Sequence, residues 1–155
     1  MLISALLIYL GIVCNPIHSE VVAEVRIDNY ENEVFVEVAL DKRLLTTALI
    51  MEADCSPQTM LSVCGGEYLS AHLALTVNDS LMKLHSPTFE MFQKQVLFRY
   101  YLGDMGRPVR KLTVESDYMF DYHKYSIVKV KVGVDNTTKS YNITNERRKI
   151  QAIIQ

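Results

Sequence analysis

Two short segments near the start of the chain alternate apolar and polar residues with a period of two. Val21, Ala23, Val25 and Ile27 stand against Glu24, Arg26 and Asp28, and then Val34, Val36, Val38 and Leu40 stand against Glu33, Phe35, Glu37 and Ala39. Successive side chains of a strand point to opposite faces, so this period predicts half-buried strands and excludes an amphipathic helix. The polar stretch Asn29-Tyr30-Glu31-Asn32 joins the two as the turn of an antiparallel hairpin. The same alternation returns at Ser126–Val134, where Val128, Val130, Val132 and Val134 oppose Ile127, Lys129, Lys131 and Gly133. A chain with this pattern at both ends is built around β-sheet. The composition agrees: it has nine Tyr, no Trp and many Val, and Val and Tyr favour strands.

Between these ends the period changes once. Asp41 is a good N-cap, and Leu44, Leu45, Ala48 and Leu49 follow at helical spacing, which predicts a helix ending near Met51–Asp54. Ser56-Pro57 has the order favoured at a second helix start. Met60, Leu61, Cys64, Tyr68 and Leu69 give that helix an apolar side, while Gly65-Gly66 weakens its middle and permits two short turns instead. Strands are then predicted at Leu73–Val77 and Leu81–Leu84 about an Asn78-Asp79-Ser80 turn. Others follow at Phe89–Leu102, Val109–Phe120, Ser126–Val134 and Lys139–Thr144, with an edge strand at Ile150–Ile154. The whole reads as a mainly β, antiparallel β-sandwich of about seven to nine strands with a short helical insert after the second strand.

Met1–Ser19 carry no Lys, Arg, Asp or Glu, and Leu2–Cys14 are almost wholly apolar. That run is short of the roughly 20 apolar residues of a membrane span. It has the form of a signal peptide, with Asn15-Pro16 as breaker and Ser19 at the cleavage position. Residues 1–19 are therefore expected to be a signal peptide and 20–155 a single β-sandwich domain without an integral membrane span after cleavage. A retained anchor, a lipoprotein acylated at Cys14 and an ordinary buried segment are the alternatives. The localisation expected is secreted or periplasmic. The net charge of −2 gives no electrostatic case for nucleic acid or an anionic membrane surface.

The chain has three Cys, and loss of the leader leaves Cys55 and Cys64. A bridge between them would contribute about 2–3 kcal/mol in an oxidising compartment; two separate buried thiols are the alternative. A zinc site of Cys55 and Cys64 with His72 or His85 fits no common ligand spacing. Sequons stand at Asn78, Asn136 and Asn142.

No nucleophile, phosphate-binding or dinucleotide motif is present. The nearest thing to a chemical site is Glu115, Asp117, Asp121 and His123, whose oxygen ligands and imidazole suit a divalent cation or paired-carboxylate chemistry. The same residues also read as a strand end and turn dressed in solvated acids. His72 and His85 flank the Leu73–Leu84 hairpin, as surface or capping histidines or as a pair across it. Phe98, Tyr100, Tyr101, Tyr118, Phe120, Tyr122 and Tyr125 either line a binding face or pack the core.

Lys111-Leu112-Thr113-Val114-Glu115, Met119-Phe120-Asp121, Ile127–Val132, Lys139-Ser140 through Ile143-Thr144, and Tyr68-Leu69 followed by Leu73–Asn78 resemble a family of small secreted bacterial proteins described as domain of unknown function 6702. The pattern also resembles the extracytoplasmic part of membrane proteins accessory to nickel enzymes, without their later membrane spans. The resemblance implies a secreted, mostly β protein and supplies no catalytic signature. The expectation is a non-catalytic interaction or binding module with no cofactor, its partner an extracytoplasmic protein or small ligand. A small metal-binding or hydrolytic protein using the acidic cluster is the alternative.

Overall fold

The computed structural model describes residues 19–52, 61–134 and 137–154. Strands β1 (Glu20–Tyr30) and β2 (Glu33–Asp41) form the expected hairpin. Its turn residues Glu31 and Asn32 both take positive φ, 48° and 71°, the backbone hand that matches the twist of a two-residue hairpin. Val25, Ile27, Val34, Val36, Val38 and Leu40 all face the core. One detail differs from the alternation: Val22 is buried and Val21 is 53% exposed. The ladder slips between Val21 and Ala23, and a bulge of this kind re-aims the side chains on one side of it.

Asp41 ends β2 and caps α1 (Lys42–Glu52), its Oδ1 accepting the Leu44 N–H at 2.9 Å. Leu45, Ala48 and Leu49 turn inward. The second helix, α2 (Leu61–His72), runs unbroken through its two glycines, and the Ser56-Pro57 start lies outside the described residues. Close packing is what Gly65 provides: a Cβ there would stand 2.6 Å from Phe98 Cζ and 3.3 Å from Leu45 Cδ2. The helical insert thus lies against the inner face of the sheet to which Phe98 belongs.

The chain continues through β3 (Leu73–Val77), β4 (Ser80–Met82), β5 (Thr88–Met91), β6 (Gln95–Asp104), β7 (Lys111–Ser116), β8 (Ser126–Val134), β9 (Thr137–Ile143) and β10 (Lys149–Ile153). These ten strands of the described residues form two sheets. One has six strands in the order β5-β6-β2-β1-β8-β9, the other four in the order β10-β7-β3-β4. Their inward residues and those of the helices share one core. The architecture is the mainly β, sandwich-like fold with a helical insert after the second strand.

Three particulars depart from the sequence reading. The Phe89–Leu102 run is two paired strands, because the chain reverses where Phe92 N–H donates to the Gln95 carbonyl at 2.8 Å. The Val109–Phe120 stretch is a strand only to Ser116; Tyr118, Met119 and Phe120 form a buried turn with Met119 at φ 63°. And β1 pairs with β8 in parallel, so the six-stranded sheet is mixed, not purely antiparallel. Of the described residues, no helix is long and apolar enough to cross a membrane.

Candidate functional site

The four candidate ligands of the sequence are dispersed over several partners. Glu115 points outward from β7 beside Lys149 of β10, with Nζ 3.6 Å from Oε2. Asp117, just past β7, meets His72 Nδ1 at 2.8 Å at the end of α2, and the His72 ring lies 4.2 Å from that of Tyr68. Asp121 is exposed in the following turn. His123 Nε2 lies 3.8 Å from Glu20 Oε2 at the start of β1, in the other sheet. Glu115 and Asp117 share a cleft of about 200 Å³ with His72 and Arg148. Among the described residues no three His, Cys, Asp or Glu side chains are grouped to hold a metal ion. His85 makes its own contact, Nδ1 to the Lys83 carbonyl at 3.1 Å.

Cys64 is buried on α2 and disulfide-bonded. Cys55 and Cys14 lie outside the described residues, as does the leader through His18. Of the sequons, Asn78 is committed to the fold. Its Nδ2 donates to the Pro108 carbonyl at 2.9 Å, and its Oδ1 accepts from the backbone N–H groups of Arg110 and Lys111. Asn142 is exposed on β9, and Asn136 lies outside the described residues.

The aromatic set divides. Phe98, Tyr100, Tyr118 and Phe120 are core residues, and Tyr122 packs against the core. Burial pushes the Tyr100 hydroxyl up to about 12 and the Tyr118 hydroxyl upward as well, because an apolar surround disfavours the phenolate. Neither hydroxyl has a hydrogen-bond partner among the described residues. Tyr125 is 44% exposed and Tyr101 60%.

Tyr101 has a companion in Phe35, an aromatic residue on the polar face of β2. Phe35 and Tyr101 are register partners on β2 and β6, and their rings lie 5.1 Å apart on the outer face of the six-stranded sheet. The signal was present: an aromatic among Glu33, Glu37 and Ala39 is out of place on a solvated strand face.

The strands place charges around this pair in cross-strand rows. Asp28, Phe35 and Tyr101 share one row, and Arg26, Glu37 and Arg99 the next. Arg99 Nη1 meets Glu90 at 2.8 Å and its Nε meets Glu37 at 2.8 Å; the bond to Glu90 first, and then that to Glu37, raise the guanidinium pKa. The Tyr101 hydroxyl donates to Glu33 Oε1 at 2.7 Å, and that bond, with burial and the charges of Glu33 and Asp104, raises its pKa. Gly133 of β8 leaves room at the end of the row, since a Cβ there would meet the Asp28 carboxylate. With the His85–Ser86 segment as one wall, Asp28, Phe35, Glu37, Arg99 and Tyr101 line a cleft of about 350 Å³. That is the lower end of ligand-site volumes.

No protein-family model matches the chain, and no curated protein matches it.

Proposed function

We propose that the protein is an extracytoplasmic, non-catalytic binding module that engages its partner through the outer face of the six-stranded sheet. The observation that carries this reading is the exposed Phe35–Tyr101 pair in a cleft. Exposed aromatics offer much contact area at low entropic cost, which is why binding surfaces use them. The apolar leader supports an extracytoplasmic location, as does the disulfide at Cys64, since such bonds persist in oxidising compartments. Membership in the domain of unknown function 6702 family is part of the same proposal. The dispersed acidic residues give the metal or hydrolytic alternative no comparable support.

The test has two parts. Protein from the native host, with thiols blocked before lysis, is weighed intact. Loss of the leader with no thiol label supports export and a Cys55–Cys64 bridge; a full-length mass with labelled cysteines overturns the location. A photoreactive residue at Tyr101 is compared in the same host with one at Ile153, on the other sheet. Preferential adducts at Tyr101 support the binding face, and equal labelling overturns it.

A further inference from the structure

We propose that the Phe35–Tyr101 cleft takes the guanidinium or ammonium side chain of a basic polypeptide. This rests on the reading of that face as a binding surface and names its ligand.

The first argument is the sign of the surroundings. The cleft and its immediate hydrogen-bond and charge neighbours contain the carboxylates of Asp28, Glu33, Glu37, Glu90 and Asp104. Arg99 and Arg26 oppose them, Arg26 meeting Asp28 at 2.8 Å. His85 also lines the cleft, and Lys131, beside Arg26 in register, is paired with Glu24. Among the described residues, Glu33 and Asp104 are therefore the acids left without a cation. Arg99 is held between two carboxylates, so it neither repels a cation at full strength nor leaves both acids neutralised. The face therefore keeps a surplus of negative charge where the rings are.

The second argument is the rings themselves. A cation over an aromatic face is attracted by the ring quadrupole. Tyr101 donates its hydroxyl proton to a carboxylate, which draws electron density toward the ring and strengthens that face. Phe35 stands beside it, at 33° between planes, so the two rings form a platform wider than either.

The third argument concerns the size of the partner. Small-molecule sites enclose most of their ligand's surface. Here Phe35 is 42% and Tyr101 60% exposed, and the platform covers only one side of what it holds. A side chain fits that geometry when the remaining contacts come from the larger body that carries it. The cleft also lies beside β5, the outermost strand of its sheet, and Thr88 of that strand lines it. An extended segment passing along that edge would deliver side chains to this face.

The experiment is a titration of the intact protein with a hexa-arginine peptide, with spermidine and with the neutral sugar cellohexaose, followed by amide chemical shifts. Hexa-arginine is expected to move resonances around Phe35, Arg99 and Tyr101. Removing both rings with Phe35→Ser and Tyr101→Ser is expected to weaken it by about fivefold or more. Tyr101→Phe keeps the ring but loses the Glu33 hydrogen bond, and is expected to bind more weakly than the unaltered protein and more tightly than the double variant. Glu115→Gln, on the other sheet, is expected to change nothing. Melting curves confirm that each variant folds. Equal peptide binding with and without the rings overturns the platform. Spermidine as tight as the peptide overturns the polypeptide source. Cellohexaose shifting the cleft with hexa-arginine silent overturns the cation and spares the binding face. Silence of the cleft toward all three probes, with photoadducts at Tyr101 no greater than at Ile153, overturns both.

Discussion

The two sheets of this protein share a core and differ in what they show to solvent. The six-stranded sheet exposes Tyr30, Phe35 and Tyr101, whereas the four-stranded sheet has no aromatic residue at all. Its outer rows carry no ring: Gln151, Thr113, Thr76 and Leu81 lie side by side, with Lys149, Glu115 and Ala74 on one flank and Ile153 beside Lys111 on the other. The outer face of the six-stranded sheet joins Glu90, Arg99 and Glu37 across three strands and Glu24 to Lys131 across two more. Stability alone does not require that asymmetry, because both sheets bury equally regular Val, Leu and Ile rows inside. The bland sheet shows what a supporting face looks like in this fold, and the aromatic one departs from it.

The largest effect is that of alkaline pH, which acts through two buried rings, Tyr100 of the six-stranded sheet and Tyr118 of the turn after β7. The Tyr100 hydroxyl is raised from its ordinary value of 10 to about 12. A raised acid binds its proton more tightly when folded, so the stability it contributes is complete below pH 10 and is lost as pH rises toward 12. The loss is on the order of 2 kcal/mol, and Tyr118 shifts in the same direction. Urea unfolding at stepped pH should show the decline, and Tyr100→Phe should flatten it. An unchanged slope in that variant would place the alkaline sensitivity elsewhere.

Next in size is the end of the aromatic row. Gly133→Val sets a branched side chain where the Asp28 carboxylate lies, and should cost about 1–3 kcal/mol. Gln151→Thr, exposed on the four-stranded sheet, should stay within about 0.5 kcal/mol. Chemical denaturation of the pair measures both. Equal costs would remove the distinction between the faces.

How much of this was legible depended on whether the cause lay close in sequence. The β1–β2 hairpin, the Asp41 cap and the whole of β8 follow from residues a few positions apart, and all appear in the structure. The parallel pairing of β1 with β8 joins residues about a hundred positions apart in the chain, such as Val25 and Val130, and no local period encodes a partner. The reversal at Phe92–Gln95 contains neither Gly nor Pro, so it gave no turn signal. Gly65 reads locally as a weak helix position, and its reason is the Phe98 ring of a strand still to come. Phe35 was visible as a misfit, but only the register with Tyr101 makes it half of a pair.

A smaller effect of opposite sign tests the buried side of the aromatic set. The Tyr118 hydroxyl is buried without a partner among the described residues, and an unmet polar group of this kind costs free energy. Tyr118→Phe should therefore stabilise the fold by about 1 kcal/mol, read as a higher melting temperature. A destabilised variant would mean that the hydroxyl is satisfied by water.

The smallest effect separates the charge networks of the two outer faces. Arg99 bridges two carboxylates at 2.8 Å each, while Lys149 meets Glu115 at 3.6 Å with both side chains more than half exposed. Exposed single pairs contribute little, and networks with good geometry contribute more. Arg99→Met should lower the melting temperature slightly in dilute buffer, and the difference should shrink in ~1 M salt, where screening acts over a few ångströms. Lys149→Met should leave the melting temperature unchanged at either salt. If the two substitutions behave alike, the Glu90–Arg99–Glu37 row is ordinary surface charge. Its position beside Phe35 and Tyr101 would then rest on those rings alone.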